Sequence, residues 1–279
     1  MKALVTGFTG SLGSELTKLL LDDGIHVVGY SRDELKQSQF PNHPKLIKYL
    51  GDIRDRDRLL EASRNCDIVF HTAALKQVDR LEENPEEAIA TNVTGTENIL
   101  YSQRINHIPR VVLSSTDKAV YPINTYGATK ALAERLVLRN ENNVVCRYGN
   151  VFASRGSVIP SFIKSLKEEN LIRITDKRMT RFFIKVSEAA EFVARSSIKP
   201  QGGLYIPQMK SYPVLKLALL IADILQVRNP KVLEIGIRAG EKLHENLRTE
   251  FEGGEVISSD DKLFFKEKEL RDYIANAIS

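Results

Sequence analysis

The sequence predicts an α/β protein: a doubly wound parallel sheet with a smaller C-terminal lobe. Three observations carry that prediction. A short apolar run from Lys2 to Thr6 leads straight into a glycine-rich turn. Extended and helical segments then alternate as far as Asn150. Beyond Asn150 the rhythm gives way to loops and separate helices.

Taken in order, the first strand and the glycine turn precede a helical pattern through Leu12, Leu16, Leu19 and Leu20, which stops near Gly24. Strands follow at Ile25 to Tyr30 and Leu46 to Tyr49, a helix near Arg56 to Arg64, and a strand at Asp67 to Thr72. A helix near Thr91 to Asn106, a strand at Arg110 to Ser114, a helix near Tyr126 to Arg139 and a strand at Val144 to Tyr148 complete the series. Strands alternating with helices imply parallel pairing through right-handed crossovers, which makes residues 1–150 a Rossmann domain. Residues 151–279 are expected to form mainly a substrate-binding lobe, with a strand near Phe182 to Val186, a return strand to the main sheet near 182–206, and a long helix from Tyr212 to Leu225.

Composition narrows the function. The chain has 279 residues and is 42% hydrophobic, enough for a large α/β core. Forty basic against 36 acidic residues leave +4, spread rather than gathered into a stripe, so no nucleic-acid partner is expected. Cys66 and Cys146 fall in strand segments, where buried small hydrophobes fit better than a disulfide, and a reducing cytoplasmic setting follows. No apolar run reaches membrane-spanning length and no charged leader precedes the first strand, so neither a membrane partner nor export is expected. The five histidines lack paired ligand spacing, which predicts no metal. His71 reads as a structural residue at a strand end.

Gly7, Gly10 and Gly13 recur at a spacing of three between a strand and a helix. This spacing suits a dinucleotide. The first glycine permits the tight turn, the second lets the backbone approach a pyrophosphate, and the third lets helix and strand pack closely. The helix N-terminus adds free N–H groups and positive potential. Thr9, Ser11 and Leu12 complete this cofactor loop. The second strand ends without the acidic residue that would hold a ribose 2′-hydroxyl; Ser31 and Arg32 stand there instead, and a hydroxyl with a guanidinium favours the 2′-phosphate of NADP. Ligands lie outside the carboxyl ends of such strands, which adds Asp52 and Ile53 after the third strand and Ala73 and Ala74 after the fourth. Asp52 is placed to reach the adenine amine or to cap a helix.

Tyr126 and Lys130 are four apart at the start of a predicted helix and therefore share a face. An ammonium beside a phenol lowers the phenol pKa from about 10, so that the tyrosine can take a proton from a sugar hydroxyl. Both residues also belong to the cofactor set. Ser114, Ser115 and Thr116 end the preceding strand and offer hydroxyls to the substrate or the tyrosine.

At these residues the chain resembles the extended short-chain dehydrogenases, over nearly its whole length. Thr116-Asp117-Lys118, Tyr121-Pro122-Ile123-Asn124 and Tyr126-Gly127-Ala128-Thr129-Lys130 are similar to the signature of the 5-inverting UDP-N-acetylglucosamine 4,6-dehydratases of polysaccharide biosynthesis. Lys118 stands where dehydratases acting on glucose nucleotides carry glutamate. Further matching segments are Ala73 to Lys76, Arg147 to Val151, Ser154 to Pro160, Thr180 to Phe182 and Arg238 to Glu245.

The resemblance implies that Tyr126 takes the C4 hydroxyl proton while hydride passes to NADP+, that Lys118 removes the C5 proton, and that Asp117 protonates the departing C6 hydroxyl. Hydride then returns to C6, giving a UDP-4-keto-6-deoxy-HexNAc. Desolvation would keep Asp117 and Lys118 neutral as a pair, and both would have to occupy a turn to face the sugar. The resemblance also implies that Arg181 and Arg238 bind the substrate diphosphate, Glu241 the ribose, and Asn150 the sugar or diphosphate. Lys76 and Arg155 are further substrate-side candidates. Asn92 would tie the central helix to the active-site strand, and a homo-oligomer is expected. Two alternatives stand beside this reading. A UDP-sugar 4-epimerase would use Tyr126 and Lys130 without needing Asp117 and Lys118, and an NADP-sensing protein would need no catalytic tyrosine.

Overall fold

The computed structural model describes residues 1–152, 154, 157–261 and 264–278. The N-terminal part alternates β1 (Lys2–Thr6), α1 (Ser11–Asp22), β2 (His26–Ser31), α2 (Glu34–Gln39), β3 (Leu46–Leu50), α3 (Arg56–Ala62) and β4 (Ile68–His71). It continues through α4 (Val78–Glu83), α5 (Pro85–Ala88), a π-helical stretch at Ile89–Thr94, α6 (Gly95–Ile105), β5 (Arg110–Thr116), a 3₁₀ turn at Asp117–Ala119, α7 (Thr125–Val137) and β6 (Val144–Tyr148). The C-terminal part comprises β7 (Asn150–Val151), α8 (Val158–Glu169), β8 (Leu171–Ile174), β9 (Thr180–Ile184), α9 (Val186–Ser197), β10 (Gly203–Tyr205), β11 (Lys210–Pro213) and α10 (Val214–Ile224). β12 (Lys231–Glu234), β13 (Asn246–Arg248), a 3₁₀ turn at Glu250–Glu252, β14 (Ile257–Ser258) and α11 (Glu267–Ile278) follow.

The main sheet has the order β10-β6-β5-β4-β1-β2-β3, parallel throughout. Its central strands are buried on both faces, so Ala3 to Thr6 and Ile68 to His71 read as continuous apolar runs rather than alternating ones. On one face Ala3, Val5 and Phe70 pack with Leu16 and Leu20 of α1 and Ala189 and Val193 of α9. On the other, Leu4, Val28 and Val69 pack with Leu59 of α3 and Ile99 of α6. A large apolar side chain buried in this way stabilises by about 1.5–3 kcal/mol. A separate core joins α8, α10 and α11 through Phe162, Leu217, Ile221 and Leu270.

Four elements are refined or differ from expectation. The strand near Phe182 lies at Thr180–Ile184 and joins β11 and β7 in a small sheet; Val186 already begins α9. The strand that returns to the main sheet is the short β10, paired with β6. Tyr212 lies in β11, and the helix expected from there starts at Val214, next to Pro213, which cannot donate a backbone hydrogen bond. The helix expected from Thr91 begins as a π-helical stretch, the kind of irregularity that often marks a functional region. Among the described residues no helix is long and apolar enough to cross a membrane, and no group of His, Cys, Asp and Glu is arranged to hold a metal.

Candidate active site

The carboxyl ends of β1, β4, β5 and β6 open onto a cleft of about 750 Å³ between the sheet and the C-terminal elements. Its walls include Gly10, Ser11, Leu12 and Gly13 at one end, Ala74, Lys76, Thr116, Lys118, Tyr126 and Lys130 in the middle, and Asn150, Arg181, Arg238 and Glu241 at the other. Part of the set expected from sequence for cofactor, chemistry and substrate thus lines one continuous space.

The glycine end forms a cradle for a phosphate-bearing ligand. Gly7 has φ +67°, and a Cβ there would meet the Ala73 backbone at 2.9 Å. A Cβ on Gly13 would lie 2.3 Å from the Gly7 carbonyl oxygen. Gly10 precedes the first turn of α1, which carries no acidic side chain, so its N–H groups face the cleft without a competing anion. Ile53 is buried and packs at Gly95.

Away from the cleft, Thr9 lines a shallow recess with Ser14, Lys18 and Lys36. Ser31 is buried and its hydroxyl accepts from Gln37 at 3.1 Å. Arg32 is exposed, 3.5 Å from Asp52. Asp52 also binds Arg54 at 2.8 and 3.0 Å. Partial burial pushes the Asp52 carboxyl up, but the Arg54 bonds and the Arg32 charge leave it below the usual range.

The centre is a buried polar cluster. The 3₁₀ turn at Asp117–Ala119 is capped by the Thr116 side chain, which accepts from the Lys118 N–H. This turn brings two adjacent side chains to one place, with Lys118 Nζ 3.0 Å from Asp117 Oδ1. Only Lys118 reaches the cleft wall: Asp117 is 0% exposed behind it, and the expectation that both face the substrate space gives way to this layered arrangement. Thr116 Oγ1 donates to Asp117 Oδ1 at 3.0 Å, whereas Oδ2 is buried with no hydrogen-bond partner among the described residues. Burial pushes the Asp117 carboxyl above its usual range, against the Lys118 charge, and the nearby Glu245 charge adds to the rise. For Lys118, burial alone would lower the ammonium, but Asp117 and Glu245 hold it above its usual value.

Asn124 caps α7 by accepting from the Gly127 N–H at 2.7 Å, which sets Tyr126 and Lys130 on the cleft side. Their relation differs from the expected phenol–ammonium pair. Lys130 Nζ donates to the Ser114 carbonyl oxygen at 2.8 Å, and burial brings it down to about 8 against the charge of Glu134. Burial pushes the Tyr126 phenol up to about 12; the cation that pulls it back is Lys118, helped by a hydrogen bond with Thr116.

Residues 3–266 match the sequence profile of a family described as polysaccharide biosynthesis protein. The chain belongs to that family. Among its relatives, the inverting UDP-N-acetylglucosamine 4,6-dehydratase of Campylobacter jejuni is 40% identical, over 99% of this chain and 87% of that protein. The UDP-glucose 4-epimerase of Rickettsia conorii is 39% identical, over 97% of this chain and 81% of that protein. The crystal structure of Pen from Bacillus thuringiensis superimposes with a TM-score of 0.91 at 32% identity, covering 99% of this chain and 97% of that one.

The other described residues expected from the family signature lie at the cleft, in varied states. Asn150 Oδ1 accepts from Lys118 Nζ at 3.3 Å. The Arg181 guanidinium is committed to backbone carbonyls, donating to Thr180 at 2.7 Å, Leu243 at 3.1 Å and Lys242 at 2.8 Å, so it shapes the wall more than it offers free donors. Arg238 is half exposed and pairs with Asp79 at 3.0 Å, while its N–H meets Glu241 Oε2 at 3.4 Å. Lys76 Nζ donates to Ser154 Oγ at 3.3 Å. Arg155 lies outside the described residues.

Asn92 joins the π-helical stretch to Leu75, after β4, at 2.9 and 3.0 Å and to Thr129 of α7 at 3.0 Å, rather than to the active-site strand. His71 sits between Thr6 and Thr96 hydroxyls at 2.9 and 3.1 Å; burial and the Lys130 charge push it down to about 3, so it is a neutral structural residue. Two features carried no role in the sequence reading. Glu245 lines the cleft 3.4 Å from Lys118 Nζ. Glu134, one helical turn after Lys130, receives the Ser115 hydroxyl at 2.5 Å and a double bond set from Arg147 at 3.0 and 2.6 Å.

Proposed function

We propose that this chain is a UDP-N-acetylglucosamine 4,6-dehydratase that uses a nicotinamide dinucleotide and inverts C5. The observation that carries the reading is the convergence of Lys118, Thr116 and Tyr126 on the cleft wall with Asp117 directly behind them in one desolvated cluster. Bound in the glycine cradle, the dinucleotide supplies hydride-transfer chemistry; the other steps are proton movements by the chain's own groups. The phenol oxygen of Tyr126 takes the proton of the C4 hydroxyl, assisted by the Lys118 charge and the Thr116 hydroxyl. The resulting C4 ketone acidifies the C5 hydrogen. Lys118 Nζ takes that proton in the neutral tautomer of its pair with Asp117, in which one proton has shifted across the 3.0 Å contact. The C5–H and C6–O bonds break, the C5–C6 double bond forms, and water leaves with a proton from Asp117; return of hydride to C6 and a solvent-derived proton reaching C5 from the opposite face would then give the inverted 4-keto-6-deoxy sugar. Because Asp117 lies behind the wall, that proton travels through Thr116 Oγ1, 3.0 Å from Oδ1 and lining the cleft.

Arg238, Glu241, Asn150 and Lys76 surround the nucleotide-sugar end, with Arg181 holding the backbone around them. NADP is the preferred form in this reading, supported by the absence of a carboxylate at the end of β2 and by Arg32 after it; Asp33 is taken up in capping α2 and pairing with Lys36. A homo-oligomer in the cytoplasm completes the proposal. A 4-epimerase, the activity named for the Rickettsia relative, would leave Asp117 without an acid's task and Lys118 without a base's. The test is incubation with UDP-N-acetylglucosamine and catalytic NADP+ in deuterated water, followed by NMR. A 4-keto-6-deoxy product with deuterium at an inverted C5 is expected, and a C4 epimer alone would overturn the reading.

A further inference from the structure

The amine of Lys118 is flanked by two carboxylates, Asp117 Oδ1 at 3.0 Å and Glu245 Oε1 at 3.4 Å. Lys118 alone cannot neutralise both buried anions, so the proton affinity of each carboxyl depends on which further cations it meets. Their surroundings are unequal. Glu245 is 3% exposed and has Lys242 Nζ 3.6 Å from Oε2, besides the Lys118 and Arg181 charges. Lys242 is itself fixed by donating to the Val120 carbonyl oxygen at 2.5 Å, immediately after the catalytic turn. Asp117 has Lys118 as its one cation within 4 Å among the described residues; its Oδ2, like Glu245 Oε2, has no hydrogen-bond partner there, so the asymmetry lies in the cations. Tyr126 completes the charged and titratable groups facing the cluster.

We propose that Glu245 is a positioning residue for the proton-transfer step: it remains the fixed anion beside Lys118 and thereby leaves Asp117 as the carboxyl that carries the transferable proton. The inference rests on the dehydratase reading for its chemistry, and its geometry stands apart from it. Burial pushes Glu245 up, but Lys118, Arg181 and Lys242 hold it below the usual range, whereas Asp117 lies above. Pairs of carboxyls driven apart in this way divide into acid and counter-charge. Glu245 also comes from the segment that carries Arg238 and Glu241, so the loop that meets the nucleotide braces the catalytic turn.

Two measurements test this. Removing the Glu245 charge lowers the proton affinity of both Lys118 and Asp117, because a nearby anion raises both. In Glu245→Gln both limbs of the pH–rate bell for dehydration move to lower pH, by roughly one unit, with KM within about twofold. Glu245→Asp, which keeps the charge, retains the wild-type bell. A fall in kcat with an unmoved bell, or a rise in KM alone, would overturn the proposal. In protein labelled with 13C at the aspartate carboxyls, the Asp117 signal, identified by its loss in Asp117→Asn, titrates above the usual aspartate range and moves down in Glu245→Gln. This second readout needs no turnover. If wild type forms no dehydrated sugar but the carboxyl signal moves, the functional reading fails and the role of Glu245 stands; an unmoved signal sinks the role of Glu245 alone.

Discussion

Lys118 and Asp117 are adjacent in the chain, yet their side chains meet at 3.0 Å because the 3₁₀ turn at Asp117–Ala119 replaces the extended backbone that would point them apart. Lys118 lines the cleft and Asp117 supports it from behind. Lys118→Met removes the base and keeps much of the side-chain volume. Dehydration is expected to fall by about 10²–10⁴, while UDP affinity by calorimetry stays within a fewfold. Loss of binding together with turnover would assign Lys118 to the substrate instead.

Much of this was legible in the sequence, for physical reasons. The Gly7-Gly10-Gly13 spacing is dictated by backbone contacts, and those contacts exist, so a local pattern announced a local structure. The central strands of the main sheet announced themselves as apolar runs because both their faces are covered. Relations between distant segments were not legible. Glu245 meets Lys118, and Arg147 meets Glu252, across more than a hundred residues, and no periodicity encodes such pairs. The expected effect of Lys130 on Tyr126 failed for a related reason. Helical spacing places two residues on one face, but the Ser114 carbonyl oxygen, brought in by β5, takes the ammonium.

Its burial makes Lys130 a source of pH-dependent stability. Burial lowers it from 10.5 to about 8. Between about pH 8 and the unfolded value, the unfolded chain binds more protons at this site than the folded one, so this contribution to stability rises with pH across that window. Below pH 8 both states hold the proton and the contribution is flat. Denaturation of wild type and Lys130→Met across pH 7 to 10.5 is expected to show the variant's relative stability declining as pH rises. Parallel curves would show that Lys130 does not titrate early.

Arg147 holds a buried network together. Its guanidinium donates to Glu134 at 3.0 and 2.6 Å, to Glu252 at 2.9 and 2.7 Å and to the Leu247 carbonyl oxygen at 2.9 Å, fastening the C-terminal segment to the end of β6. Arg147→Met strands the Glu134 carboxylate, whose side chain is 6% exposed. Breaking such a pair costs about 3–5 kcal/mol, which corresponds to a fall in Tm of roughly 10 °C in a chain of this size. Adding Glu134→Leu removes the stranded charge and is expected to recover part of the loss. Calorimetric scans of both variants check this, and a smaller Tm loss for Arg147→Met than for the double variant would contradict it.

The proposed preference for NADP rests on Arg32. Its side chain is 53% exposed and only 3.5 Å from Asp52, an exposed pair that contributes little to folding and so leaves the guanidinium available. A 2′-phosphate held there gains a charge-assisted hydrogen bond of about 1.5–3 kcal/mol, which a 2′-hydroxyl cannot match. Arg32→Ala is therefore expected to weaken NADP+ binding by about 10–100-fold and to leave NAD+ within about twofold. Fluorescence titration of both dinucleotides against both proteins measures the difference directly. Equal weakening would place Arg32 at a part of the ligand the two share, and equal, unchanged affinities would remove the argument for NADP. Raising the salt concentration should narrow the wild-type preference as well, because the contact joins exposed charges.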